Sequence, residues 1–139
     1  MALRRVTGLL TKGDRCCGVT FEGGQRSADA VVLAMGPWTE EASSWCNTPI
    51  PVVPLKGQIL RLQLAGAPLR TSLHWAGSYA SSKPDGLVWA GTTEERAGFD
   101  EETTTWGRDK VMGDLLRMAP SLSSAELVHQ TACLRPLSR

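Results

Sequence analysis

Apolar and polar residues along the first third of the chain predict two paired strands, a buried strand and a short helix. Residues 5–11 (RVTGLLT) and 15–21 (RCCGVTF) are β-rich and flank the turn Lys12-Gly13-Asp14, which predicts a hairpin. A glycine turn at 22–25 follows, and the continuous apolar run 28–34 (ADAVVLA) predicts a strand buried on both faces. Thr39, Glu40 and Glu41 favour a short helix over 38–46.

The rest of the chain predicts an antiparallel sheet with one long helix. The proline-rich stretch NTPIPVVP is an extended connector, and 58–64 alternates, with Leu60, Leu62 and Leu64 on one face. Short links join the strand-like segments 72–76, 79–82 and 87–91, which predicts antiparallel pairing. Apolar spacing predicts a helix over 103–119 that ends at Pro120 and is weakened by Gly107 and Gly113, and 127–134 is a last strand.

Composition narrows the class of protein without naming it. The 139 residues are 42% hydrophobic and 21% charged, as in an ordinary folded domain. Fifteen basic and 14 acidic side chains give a formal charge of +1, so we expect neither nucleic acid nor a membrane as partner. No apolar run reaches the length of a bilayer span, and the N-terminus lacks a signal-peptide core, which predicts a cytoplasmic protein. The four cysteines lack metal-ligand spacing, so no metal site is predicted.

Few residues carry chemistry by pattern alone, and Arg135 is the strongest of them. It follows an apolar strand and precedes Pro136, a setting that can aim a guanidinium inward to grip a carboxylate with two parallel hydrogen bonds. The alternative is an arginine at the surface or paired with a protein carboxylate. Glu94 and Glu95 could form an acid/base pair, but a solvated loop before a helix is the favoured interpretation.

Four segments in order resemble the D-amino-acid oxidase (DAO) family of FAD-dependent oxidoreductases, of the glycine oxidase and sarcosine oxidase type. They are ADAVVLAMGPW, VPLKGQIL, DGLVWAGTTEERAGFD and ACLRPLS. The resemblance implies an α+β fold, with a mostly antiparallel substrate-domain sheet, flanking helices and a partial edge of an FAD-binding α/β domain. It assigns residues 1–48 to the FAD-binding part and 49–139 to the substrate-binding part.

The resemblance also implies roles for four residues. Arg135 falls on the arginine that binds the substrate carboxylate, and Tyr79 on a tyrosine that lines the substrate pocket. Val6 falls where a strand backbone lies against the adenine of FAD, and Gly36 where the chain passes close to the cofactor. The alternatives are half-buried packing for Tyr79, an ordinary strand valine for Val6 and a strand-ending glycine for Gly36. Lys56 lies either at the strand surface or at a pocket edge.

Departures from the family pattern limit the expected function. The glycine-rich βαβ fingerprint would precede residue 1, and the second glycine-rich cofactor contact would follow residue 139. Cys133 stands where the family usually has glycine. We therefore expect a fragment, inactive or nearly so alone, of an enzyme that oxidises a small amine or amino acid by hydride transfer to FAD. The alternatives are a non-catalytic binding module that self-associates through exposed surface, and a thiol enzyme using Cys16 or Cys133.

Overall fold

Two sheets, two α-helices and two short 3-10 helices make up the fold in the computed structural model, which describes residues 4–139. The strands are β1 (Val6–Lys12), β2 (Arg15–Phe21), β3 (Gly24–Ser27), β4 (Val52–Gln63), β5 (Leu73–Trp75), β6 (Ser78–Ser82), β7 (Val88–Gly91) and β8 (Glu126–Ser138). The helices are a 3-10 helix (Gly36–Ala42), α1 (Ser43–Cys46), α2 (Thr105–Met118) and a second 3-10 helix (Pro120–Leu122). Mixed α+β architecture with antiparallel strands confirms the predicted fold class.

The chain divides into two structural units, and the boundaries fall within β4 and β8. The first unit consists of the chain up to Val53 together with Pro136–Arg139, and the second unit is Pro54–Arg135. The assignment of 1–48 to FAD binding and 49–139 to substrate binding stays a prediction about function.

The first unit is built on a three-stranded antiparallel sheet in the order β1-β2-β3. The hairpin β1–β2 confirms the prediction from residues 5–21, and Gly13 in its turn adopts a positive φ of 60° that favours glycine. Gly18 has no room for a side chain, because a Cβ there would lie 2.1 Å from the Arg26 carbonyl oxygen of β3. The sequence prediction missed β3, since a tight turn at 22–23 accounts for fewer residues than we had assigned to it.

The second unit is a five-stranded sheet in the order β5-β6-β7-β4-β8, with α2 packed on one side. Alternation in β4 is as predicted: Leu60 and Leu62 are buried, while Ile59 and Arg61 are partly exposed on the opposite face. The buried core beneath α2 joins three strands to the helix; its members are Leu60, Leu62, Ala80, Val88, Ala90, Val111 and Leu115. We call this side of the sheet the covered face, and the other the open face.

Helix α2 begins where a cap is available and ends before a proline. Thr104 is the N-cap, and its side-chain oxygen accepts a hydrogen bond from the Gly107 N–H at 3.0 Å. Pro120 ends the element as predicted, because it opens a separate 3-10 helix.

The buried strand predicted over 28–34 is wrong. This stretch has no regular secondary structure, and Val32 is 87% exposed. A continuous apolar run forms a doubly buried strand only where neighbouring strands and covering layers exist for both faces, and no strand of residues 4–139 pairs with it. The helix predicted over 38–46 forms in part as a 3-10 helix, in which Thr39 donates to the Gly36 carbonyl instead of capping.

Candidate functional site

The open face of the five-stranded sheet carries a cleft of about 170 Å³. Four strands or strand ends contribute to it; the lining residues are Gly57, Ile59, Tyr79, Thr92, Cys133 and Arg135. Because side chains alternate along a strand, Cys133 and Arg135 of β8 point to the same side, as do Gly57 and Ile59 of β4. The sheet therefore brings Arg135 and Tyr79, 56 positions apart in the sequence, to one cleft.

Arg135 lies across the backbone of β4 in a place that only glycine leaves open. A Cβ at Gly57 would lie 2.9 Å from both Arg135 Nη2 and Thr92 Oγ1. Arg135 Nη2 donates a hydrogen bond to the Thr93 carbonyl oxygen at 3.0 Å. Its Nε is buried without a hydrogen-bond partner in the described part of the chain, while the side chain as a whole is 42% exposed. The guanidinium is thus anchored by one bond and retains donors for a ligand.

Tyr79 rests on a second glycine in the same way. Gly91 lies between Ile59 and Tyr79 in the cross-strand register, and a Cβ there would lie 2.7 Å from Ile59 Cγ2 and 3.1 Å from Tyr79 Cε1. The Tyr79 side chain is partly buried, and its ring centroid is 6.4 Å from that of His74. We call Gly57 and Gly91 the glycine floor. The sequence prediction missed both residues, because nothing in the local pattern indicates which distant side chain crosses them.

The remaining walls differ in polarity. Ile59 gives an apolar surface, Thr92 a hydroxyl, and Cys133 an exposed thiol that faces the same cleft as Arg135. Beside the cleft, the Glu94 carboxylate oxygen Oε1 lies 3.9 Å from Arg135 Nη2, and Glu94 is 70% exposed. This arrangement can bind a small molecule that carries an anionic group against Arg135 and apolar surface against Ile59.

A buried hydrogen-bond network on the covered face holds the strands under the cleft in place. Gln58 is fully buried; its Nε2 donates to Glu95 Oε1 and to Thr104 Oγ1, both at 2.9 Å. Its Oε1 accepts from the Thr104 N–H and from Gln130 Nε2, both at 2.8 Å. Gln58 therefore ties β4 to β8 and to the start of α2.

The same network explains Gly107, which we had identified only as a weak point of the helix. A Cβ at Gly107 would lie 2.4 Å from Gln58 Nε2. The glycine thus permits the helix to pack against the buried amide, at the expense of helix propensity.

Lys56 is neither at the strand surface nor at the cleft. Its side chain is 1% exposed, and Nζ forms an ion pair of 2.6 Å with Asp100 Oδ2. The hydrogen bond from Lys56, supported by the Glu102 N–H, lowers the pKa of the Asp100 carboxyl below its usual value. The pair fixes the segment that leads from β7 into α2, since Lys56 and Glu95 also exchange two backbone hydrogen bonds.

Val6 lies in the first unit, on β1, an outer strand of the three-stranded sheet. It is 39% exposed and borders a second cleft of about 330 Å³, together with Arg4, Val19, Phe21, Gln25 and Arg26. An outer strand leaves backbone polar groups unpaired along one edge, so a flat polar ring can lie against it. Its predicted contact with adenine stays a prediction.

Gly36 has a conformational reason to be glycine in this chain. Its φ is +56°, in the left-handed region, and a Cβ would meet nothing within 4 Å. The described residues therefore explain Gly36 by its backbone, and its predicted approach to the cofactor stays a prediction. No described cleft contains Val6 and Gly36 together, in contrast to Tyr79 and Arg135.

Comparison with protein families identifies the chain. Residues 2–139 match the DAO family, described as FAD dependent oxidoreductase. The chain belongs to this family. Glycine oxidase of Pseudomonas aeruginosa is 34% identical over 131 residues, which cover 94% of the chain and 36% of that protein. Hydrogen cyanide synthase subunit HcnC of Pseudomonas protegens is 34% identical, with 94% of the chain and 32% of that protein covered. The chain thus spans about a third of these relatives.

Solved structures of two oxidases share the fold of the chain. Iminodiacetate oxidase of a Chelativorans species superposes with a TM-score of 0.87 at 28% identity, covering 97% of the chain and 37% of that structure. Glycine oxidase of Geobacillus kaustophilus gives a TM-score of 0.88 at 22% identity, over 98% of the chain and 37% of that structure. Within residues 4–139, no helix combines the length and apolarity that crossing a bilayer requires.

Proposed function

We propose that this DAO-family chain supplies the substrate-binding cleft of an oxidoreductase that oxidises a small amine or amino acid with FAD. The observation that carries the proposal is the joint position of Arg135 and Tyr79 in one cleft of about 170 Å³. Arg135 is the carboxylate anchor, and Tyr79 closes the cleft above Gly91. Glycine, sarcosine and D-amino acids are the substrate class that fits this small cleft with a single cationic anchor.

The proposed work of these side chains is to hold and orient the substrate. A carboxylate that pairs with Arg135 is fixed at one end, so the adjoining α-carbon is confined to the space between Ile59 and Tyr79. FAD, on which the family depends, would accept a hydride from this carbon when it is bound.

Toward FAD itself, the described residues offer two candidate contacts, both in the first unit. Val6 presents the edge of an outer strand, and Gly36 leaves open space on its exposed side. Both features suit the approach of a large planar group, which supports Val6 and Gly36 as cofactor contacts. The sequence contains no glycine-rich strand–helix fingerprint for the pyrophosphate, so we expect the isolated chain to purify without stoichiometric FAD.

Carboxylate binding by the 139-residue chain tests the anchor directly. We expect glycine to perturb the NMR signals of Arg135 and Tyr79, and Arg135→Gln to weaken glycine binding by about tenfold to a hundredfold, as loss of a charge-assisted pair requires. Arg96→Gln, at an exposed arginine of the segment after β7, is the matched control and is expected to bind like wild type. Equal affinities of wild type and Arg135→Gln would contradict the proposal.

A second candidate, a non-catalytic module that self-associates, is favoured by exposed apolar surface in the first unit. Val32 is 87% exposed and Trp38 43% exposed. Light scattering of the purified chain distinguishes the two: a concentration-dependent mass supports self-association, and a constant monomer mass with glycine binding at Arg135 supports the substrate-binding function alone.

A further inference from the structure

Glu94 is the charged group next to Arg135 that the proposed function leaves without a role. Its Oε1 lies 3.9 Å from Arg135 Nη2, and its side chain is 70% exposed. It belongs to the segment that follows β7, beside the residues that line the cleft. Among the described residues, the ion pair with Arg135 is its single side-chain interaction.

The adjacent Glu95, in contrast to Glu94, is held in the fold by hydrogen bonds. Glu95 accepts hydrogen bonds from Gln58 Nε2 and from Thr93 Oγ1, and its backbone pairs with Lys56. Glu95 is thus part of the buried network, whereas Glu94 points its carboxylate at the cleft's cation.

We propose that Glu94 determines the charge selectivity of the cleft. While Arg135 holds a substrate carboxylate, Glu94 pairs with the positively charged amine of a zwitterion and repels a second carboxylate. The inference rests on the proposed function, since it requires a carboxylate at Arg135. Two opposite protein charges 3.9 Å apart suit an α-amino acid, whose own two charged groups are attached to a single carbon atom.

The expected effect of Glu94 on affinity is modest for either ligand group, the amine or the second carboxylate. It is larger for the ratio of the two affinities. An exposed ion pair changes an affinity by about threefold, and repulsion of a second carboxylate acts with similar size in the opposite direction. The ratio of affinities for a zwitterion and a dianion therefore contains both effects, about tenfold in total. Competition between Glu94 and any bound carboxylate for Arg135 is common to both ligands and cancels in this ratio.

Glycine and malonate are suitable probes, because both are small and differ in the group opposite the anchoring carboxylate. The full chain is titrated with each at neutral pH and low ionic strength, where screening is weak, and the signals of Arg135 and Tyr79 report binding. We expect Glu94→Gln to reduce the preference for glycine over malonate by about tenfold. Glu101→Gln, the same change at an exposed glutamate elsewhere on the chain, is expected to keep the wild-type preference.

Each outcome separates the inference from the proposed function. An unchanged preference in Glu94→Gln, with glycine still bound at Arg135, overturns the role of Glu94 and leaves the carboxylate anchor intact. An equal loss of preference in Glu101→Gln also overturns it, because the effect then reflects overall charge. Failure of both ligands to bind at Arg135 in the wild-type chain contradicts the proposed function and the inference with it.

Discussion

The two faces of the five-stranded sheet come from alternate residues of the same strands, yet they meet different demands. The covered face packs large aliphatic side chains such as Leu60 and Leu62 against α2, and buries the polar network around Gln58. The open face has glycines at 57 and 91, and over them lie Arg135 and Tyr79 from other strands. The covered face therefore holds the fold together, whereas the open face leaves a cleft and polar atoms without hydrogen-bond partners within the described chain.

The largest expected difference is between neighbouring residues of β4. Leu60→Ala, at a fully buried position of the covered face, is expected to lower the free energy of unfolding by about 2–5 kcal/mol. Ile59→Ala, one residue away on the partly exposed open face, is expected to cost less than about 2 kcal/mol. Urea unfolding of both variants measures the difference, and equal losses would contradict the division of labour between the faces.

The polar part of the covered face is tested at Gln58. Gln58→Leu is expected to cost about 2–3 kcal/mol, because the Thr104 N–H, Gln130 and Glu95 lose their buried partner. Gln63→Leu, at the exposed end of the same strand, is the matched control, with a change of less than about 0.5 kcal/mol. A small effect of Gln58→Leu in thermal unfolding would show that the network is dispensable.

Acid sensitivity provides the third test of the covered face. Asp114 is buried on α2, and hydrogen bonds from Lys110 and then Ser78 lower the pKa of its carboxyl below the ordinary value of 3.8. Because the folded pKa is lower than the unfolded one, its contribution is present above about pH 4 and is lost as the pH falls through the folded pKa.

Replacement of the Asp114 carboxylate separates its contribution to stability from those of other groups that are protonated in acid. We expect Asp114→Asn to lower the free energy of unfolding at pH 7 by about 1–2 kcal/mol, since a hydrogen bond to a charged group is removed. Between pH 7 and pH 3, the variant is expected to lose less stability than wild type does. Asp109→Asn, at an exposed position of the same helix, is the control. If wild type and Asp114→Asn lose the same stability between pH 7 and pH 3 in urea titrations, the assignment to Asp114 is wrong.

On the open face, the smallest stability effect is expected to accompany a large effect on binding. Gly57→Ala displaces the Arg135 guanidinium, because its Cβ would lie 2.9 Å from Nη2, and we expect glycine affinity to fall by about tenfold. The loss of unfolding free energy is expected to stay near about 1 kcal/mol, since the guanidinium is partly exposed and can move.

Gly113→Ala is the matched control for this glycine substitution. A Cβ at Gly113, in the middle of α2, meets nothing within 4 Å, so alanine is expected to stabilise the helix by about 0.5–1 kcal/mol without a change in glycine affinity. A Gly57→Ala variant that binds glycine like wild type would show that the floor does not position Arg135.

Sequence reasoning succeeded where the signal is periodic and local. The alternation at 58–64 predicted both the strand and its buried face, and the run before Pro120 predicted α2 to within two residues at its start and one at its end. It failed for 28–34, whose apolar run is an intrinsic property but whose burial depends on strands that residues 4–139 do not place beside it.

The site was less accessible to such reasoning, because its parts meet only in space. Arg135 was first indicated by its place between an apolar strand and Pro136, whereas Tyr79 was identified through resemblance to the DAO family alone. The roles of both residues remain predictions. Gly57 and Gly91 were missed, since their significance lies in side chains 78 and 12 positions away. For Lys56 we had weighed only the strand surface and a pocket edge. Prediction of its ion pair with Asp100, in which the lysine is buried and the aspartate is exposed, required knowledge of where the segment after β7 returns.

The glycine floor has a practical consequence for anyone who wishes to redesign this cleft. Variation at 57 or 91 disturbs a side chain that belongs to another strand, so a library at these positions mixes changes of shape with displacement of Arg135 or Tyr79. Ile59 and Cys133 line the same cleft with side chains of their own. Saturation mutagenesis of these two positions, with both glycines held constant, changes the shape of the cleft without displacing Arg135 or Tyr79 through the glycines.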